Sequence, residues 1–153
     1  MFLIPFEPKP QSRPRATIRG KHAGTYEKVD MTRWRNKVTS FVKQNYAGRY
    51  FDGAIRTKVT FYMKAPKKMQ ELPKPRSGKK KKDEYARFIA ETIPYDKKID
   101  LDNLEKSLYD SISKAEIVWK DDCLVVEHTT KKLYSPNPRI EIEIEELEEW
   151  VEQ

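Results

Sequence analysis

Lys98-Ile-Asp-Leu-Asp-Asn-Leu-Glu-Lys106, continued by Ser107-Leu-Tyr-Asp-Ser-Ile-Ser-Lys-Ala115, is the stretch on which the reading of this chain turns. Leu101, Leu104, Leu108, Ile112 and Ala115 recur at helical spacing and predict one amphipathic helix with a single apolar stripe. Asp102 stands where an N-cap is wanted, and Glu105 three residues later completes a capping-box pair. Further on, Ile140, Ile142 and Ile144 alternate with Glu141, Glu143 and Glu145, the period of a half-buried strand.

The rest of the chain extends this mixture. Residues 2–6 read as a first strand, closed by Pro8 and Pro10, and residues 54–63 as another. Asp30 can cap a helix through Trp34, Val38, Phe41 and Val42 to about Tyr46, with Arg33, Arg35, Lys37 and Lys43 on its other face. Residues 117–119 form a short strand-like piece, Asp121-Asp122 a turn, and 124–130 a further strand. Strands and helices interleave without a repeat, which predicts an α+β fold: a single domain over 1–153 with a small mixed sheet and two helices packed on one face. Residues 64–87 hold ten Lys/Arg against three acids, with little to bury, and predict a basic arm at about 64–90, mobile or helical only near 84–90. An acidic tail occupies about 145–153.

Charge narrows the partners. The chain carries a formal +7, but seven Glu and one Arg fall in 137–153, so residues 1–136 hold 30 Lys/Arg against 17 Asp/Glu. A body this basic points to a polyanion, nucleic acid above all. Arg13, Arg15, Arg19 and Lys21 sit among Pro, Gly and small residues that cannot bury them, and suit phosphate contacts. Lys79 and Lys80, in the run 79–82, open two readings, a grip on the DNA backbone or a solubilising insertion. The single Cys123 excludes a disulfide framework and a Cys-based zinc site. No apolar run reaches the ~20 residues of a membrane span and no signal-peptide pattern is present, so a cytoplasmic protein is expected. Trp34, Phe41 and Trp119 suit core positions better than base-stacking ones.

The acids of the opening stretch carry the chemistry. In an extended segment Asp100 and Asp102 point to the same side, so two carboxylates can meet one ion. Either Asp121 or Asp122 can add a third if that turn packs back beside the helix start. Oxygen donors without cysteine suit Mg²⁺, with Mn²⁺ as substitute, better than zinc. Lys106, four residues after Asp102, shares its helix face and can stabilise a transition-state phosphate, while Asp110 one turn on can hold that lysine. Taken singly, each acid can equally be a cap, a turn or part of a surface charge ladder.

Asp100-Leu-Asp-Asn-Leu-Glu-Lys106, then Asp110, then Trp119-Lys-Asp-Asp-Cys-Leu-Val125 resembles the D-x-D-N-L-x-K … D … W-x-D-D-x-x-V signature of RusA-type Holliday-junction resolvases. Lys9-Pro-Gln-Ser-Arg-Pro-Arg15, Tyr26 and the basic helix near Trp34 are similar to that family's basic N-terminal part. The resemblance implies a homodimeric, Mg²⁺-dependent endonuclease that resolves four-way DNA by paired nicks, as in bacteria, their phages and prophages. It implies Asp100, Asp102 and Asp122 as metal ligands, Lys106 as the catalytic lysine, and Asp110 and Asp121 as supporting carboxylates. Ile99 stands where the family often has Pro, and the resemblance assigns no functional residue to 64–95 or to the tail from Glu146. A less selective flap or branched-DNA nuclease, and a non-catalytic basic DNA-binding protein, are the competing readings.

Overall fold

The computed structural model describes residues 1–12, 15–19, 22–26 and 29–149, those of 15–26 as backbone only. The elements run β1 (Phe2–Ile4), β2 (Arg15–Arg19), β3 (His22–Tyr26), α1 (Val29–Asn45), β4 (Ile55–Lys64), α2 (Lys67–Gln70), α3 (Lys79–Ile89), α4 (Leu101–Ala115), β5 (Val125–Ser135) and β6 (Arg139–Glu146). The fold is α+β, with a four-stranded mixed sheet in the order β1-β6-β4-β5 and a separate β2-β3 ribbon. Two compact units form: one from Met1–Pro8, Arg56–Lys98 and Glu127–Glu145, the other from Lys9–Ile55, Ile99–Val126 and Glu146–Gln153.

The first unit is built on alternation. Along β4, Val59, Phe61 and Met63 are buried while Lys58 and Tyr62 face outward, and Ile140 and Ile142 bury the matching face of β6. β1 adds antiparallel to β6 with Ile4 opposite Ile140. Arg56 at the start of β4 reaches Glu127 at the start of β5 (3.2 Å) and Glu145 near the end of β6 (3.3 Å), so β4 runs with β5 and against β6. β5 continues past the predicted end at Thr130 to Ser135, because Tyr134 and Ser135 are buried.

The basic arm corrects the sequence reading. It is folded, as α2 and α3, which raises the α-helix count from the predicted two to four among the described residues. Phe88, three residues after Tyr85 on α3, is 1% exposed and packs with Ala65 and Tyr134, against Met69, Ile93 and Tyr95. The lysines of 79–82 lie outside while these few apolar groups face in. α3 closes with Glu91 N–H donating to Phe88 O (3.1 Å) and Thr92 N–H to Arg87 O (3.1 Å), the Schellman pattern, with Glu91 at φ 58° where glycine is usual. A side-chain network holds Glu91 there: Arg139 grips its carboxylate with both Nη atoms (2.7 and 3.1 Å), donates from Nε to Glu141 (3.1 Å), and lies 3.7 Å over the Tyr62 ring.

In the second unit α1 packs on α4, where Thr39 Oγ1 donates to Ser111 O (3.1 Å). Leu104, Leu108, Ile112 and Ala115 of α4 are buried as the spacing predicts. On α1 the buried stripe is Met31, Arg35, Val38 and Val42, with Trp34 and Phe41 only partly covered. Arg35, read from sequence as outward, is 8% exposed because it lies four residues after Met31 and three before Val38 on that stripe. α4 also starts earlier than predicted: Leu104 N–H donates to Asp100 O (3.2 Å), so Asp100 holds the N-cap position, without a side-chain cap bond, and Asp102 sits inside the first turn.

Candidate active site

Trp119 returns the acidic turn to α4. Its indole is 1% exposed, donates Nε1–H to Ser113 Oγ at 2.8 Å and meets Tyr109 edge-on with centroids 5.4 Å apart. The backbone beside it is fixed too, since Phe51 N–H donates to Val118 O and Lys120 N–H to Phe51 O, both at 2.9 Å. The predicted strand at 117–119 is thus a single parallel bridge between Phe51 and Trp119. Beyond it Asp121 accepts from Cys123 N–H at 2.8 Å and caps one 3-10 turn, Asp122–Leu124. Asp121 and Asp122 then line a cavity of about 270 Å³ with Asp110, Ser113 and Lys114 of α4 and Arg35 of α1.

Electrostatics tie these groups together. Partial burial pushes the Asp122 carboxyl above its ordinary value, Asp121 and Asp110 push it the same way, and Lys106 opposes them. Asp121 is held low, chiefly by the backbone hydrogen bond from Cys123. Asp122 therefore shares its cavity with Asp110 of α4 and lies within electrostatic reach of Lys106. Asp100 and Asp102 stand exposed at the start of the same helix, presented by a helix end and not by an extended run. Asp102, Lys106 and Asp110 follow at intervals of four along one face.

Arg35 is the site residue that sequence reading missed. Its Nη2 donates to Gln11 Oε1 at 2.6 Å, and Gln11 N–H donates to Asn103 O on α4 at 2.9 Å. Ser107 Oγ–H of α4 bonds Lys9 O, and Lys9 Nζ pairs with Asp30 of α1 at 2.9 Å. The start of the basic N-terminal segment is thereby strapped to both helices. The signal for Arg35 was its register with Met31 and Val38.

The other basic residues divide. Arg13 and Lys21 lie outside the described residues, and Arg15 and Arg19 are placed as backbone on β2, so their side chains lie outside them too. Lys79 and Lys80 are exposed on the first turn of α3. Cys123 is an exposed thiol. Among the described residues no helix is long and apolar enough to cross a membrane.

The donor chemistry fits a hard divalent cation. The candidate donors are carboxylate oxygens, and a cation would offset both the burial and the neighbouring acids that raise Asp122. Among the described residues no three acids, histidines or cysteines stand close enough to form a ready ion cage.

Comparison with known proteins places the chain. It is 28% identical over 146 residues, 95% of each chain, to a Bacillus subtilis (strain 168) protein described as uncharacterized protein YqaN. The family model described as Endodeoxyribonuclease RusA matches residues 5–145, a span that includes every acid of the cavity, α4 and the lysine-rich helices. With an acidic turn pinned to a helix that carries Asp102, Lys106 and Asp110, and with that match over most of its length, the chain belongs to the RusA family of DNA endonucleases.

Proposed function

We propose that this protein is a Mg²⁺-dependent resolvase of four-way DNA junctions, acting as a homodimer through paired nicks within the cytoplasm of a bacterium or phage-infected cell. The observation that carries the reading is the cavity that Asp121 and Asp122 share with Asp110 of α4, with Lys106 within electrostatic reach of Asp122. The whole chain acts as one nuclease domain, since the family match runs through both of its compact units.

Asp100, Asp102 and Asp122 would hold the cation, with Asp110 and Asp121 as supporting carboxylates. When bound, the cation polarises the scissile phosphoryl group and lowers the pKa of a bound water. Mn²⁺ can substitute because it accepts the same oxygen donors. Lys106 places a positive charge on the helix face shared with Asp102, where it offsets charge developing on the phosphate. Asp110, one turn on, holds that ammonium in place. Arg35, fixed by Gln11, orients the cavity side of the substrate. Arg13, Arg15, Arg19, Lys21, Lys79 and Lys80 supply sequence-independent phosphate contacts.

The test is cleavage of a synthetic four-way junction with and without Mg²⁺, set against flap and duplex DNA. Asp102→Asn and Asp122→Asn should keep junction binding and lose cleavage. Unchanged Mg²⁺-dependent cleavage in either variant would remove the proposed site, and flaps cut far better than junctions would remove the resolvase assignment.

A further inference from the structure

A second cavity, of about 250 Å³, lies in the first unit between the end of β4 and the segment that follows α3. Tyr95 and Tyr134 form its aromatic wall, with ring centroids 4.8 Å apart and planes tilted by 53°. Both rings line the cavity, Tyr134 buried and Tyr95 only partly covered. Lys64 and Lys97 supply two exposed ammonium groups, and Glu7 one carboxylate. Lys64 pairs with no acid among the described residues, and Lys97 has only Asp96 at 3.9 Å.

The wall is held in place. Tyr95 N–H donates to Lys132 O and Tyr134 N–H to Ile93 O, both at 3.0 Å, which ties 93–95 to β5 through a single antiparallel bridge between Pro94 and Leu133. Lys132 Nζ lies 5.4 Å from the Tyr95 centroid and donates to Lys97 O at 3.2 Å. Burial, Tyr134 and Glu7 push the Tyr95 hydroxyl above its ordinary value, so the ring stays neutral at physiological pH.

A neutral aromatic face with cations beside it is the arrangement that binds unpaired nucleic acid, because base faces stack on the ring while ammonium groups follow the backbone. Duplex DNA keeps its base faces inside the stack and cannot use the ring. A bare anion is disfavoured by Glu7 in the lining. The volume falls below the ~300–1,000 Å³ of pockets for drug-sized ligands and suits a single base. Lys97 also stands three residues before Asp100 in the chain.

We propose that this cavity is a subsite for one unpaired DNA nucleotide, with Tyr95 stacking on its base and Lys64 and Lys97 contacting the flanking phosphates. The choice of DNA as occupant rests on the nuclease reading above. The subsite would favour branched over fully paired DNA, since branch points are where bases come unstacked.

The test uses the full chain without divalent cation, so that nothing is cut, and a short thymidine strand carrying one 2-aminopurine, against the same sequence as duplex. Tyr95→Leu should weaken single-strand binding about tenfold, within the range for one base–aromatic stack, and leave duplex binding unchanged. Tyr95→Phe should bind as wild type. Lys64→Gln with Lys97→Gln should reduce the salt dependence of single-strand binding by about two counter-ions. Single-strand affinity within twofold of wild type in Tyr95→Leu, or an equal loss on duplex, overturns the subsite. Should Tyr95→Leu fail to fold by circular dichroism, the lysine pair decides, and an unchanged salt slope overturns it. A chain that cuts no junction yet loses single-strand binding through Tyr95 keeps the subsite and loses only the resolvase reading.

Discussion

Replacing Trp119 with phenylalanine should slow cleavage more than its effect on stability accounts for. The indole is 1% exposed, so the change removes a buried N–H and leaves a void where the larger ring system stood. The 2.8 Å bond to Ser113 Oγ contributes about 1 kcal/mol net. The partial void adds about 1–2 kcal/mol, less than the ~3–5 of truncation to alanine. The total is about 2–3 kcal/mol, which at an m-value of about 2–3 kcal/mol/M lowers the urea midpoint by about 1 M. Ser113→Ala should cost about 1 kcal/mol, and the double variant little more than Trp119→Phe alone, because both remove one bond. Single-turnover cleavage of a four-way junction, under conditions where the variant is fully folded, should fall about tenfold. Small displacements of groups that must meet in the transition state have effects of this order, and Asp122 is positioned through Trp119. Stability lost as calculated with cleavage within twofold of wild type would refute the reasoning and leave Trp119 as core alone.

Arg139→Met removes three charge-assisted bonds and the stack on Tyr62 while Glu91 and Glu141 stay largely covered, and should cost about 2–3 kcal/mol by urea unfolding, somewhat below the loss of a fully buried pair; a cost under about 0.5 kcal/mol would show the network to be idle. Arg139 holds the Glu91 carboxyl below its ordinary 4.5, so this stabilisation is fully present above that pH and is lost as pH falls through the lower folded-state value. Unfolding measured from pH 6 to 3 should therefore show an acid loss that flattens in Arg139→Met. Arg35→Gln should keep the fold by circular dichroism yet cut junctions about tenfold more slowly, since the cavity loses a fixed cation; equal rates would mean that Arg35 only packs. Adding Mn²⁺ should raise the thermal midpoint of the wild type and not that of Asp122→Asn, through linkage of binding to folding; an equal rise in both would place the ion elsewhere.

Features that depend on short-range periodicity were legible in the sequence. The Ile/Glu alternation became β6, and the Leu104–Leu108–Ile112–Ala115 stripe became the buried face of α4. The turn at Asp121-Asp122 was legible as well, because Asp121 caps it from the Cys123 N–H and Trp119 just before it is anchored on Ser113 of α4. What failed depends on distant partners. Phe88 and Tyr85 look isolated in a lysine-rich run until Ala65 and Tyr134 arrive from β4 and β5, and only then is there enough apolar surface to fold α3. Arg35 reads as one more surface cation until Gln11 meets its guanidinium from 24 residues away. The start of α4 was misjudged for a local reason. An aspartate at either 100 or 102 satisfies a cap pattern, and the hydrogen bond from Leu104 to Asp100 decides between them.

The same long-range view explains how an acidic cluster persists in so basic a chain. With 30 Lys/Arg against 17 Asp/Glu in residues 1–136, the diffuse field should lower every carboxyl pKa, yet that of Asp122 rises. Burial and the neighbouring acids therefore outweigh Lys106 and the remote cations, as expected when distant charges are screened over about 8–10 Å and close, half-buried ones are not. Packing assembles this unfavourable pairing. Trp119 is locked by Ser113, Tyr109 and the Phe51 bridge, so the turn cannot swing Asp122 away to relieve it. A group held against its electrostatic preference marks a functional site more reliably than one that is satisfied. Under the proposed function, burial and the two neighbouring acids that raise Asp122 are what a divalent cation would offset on binding.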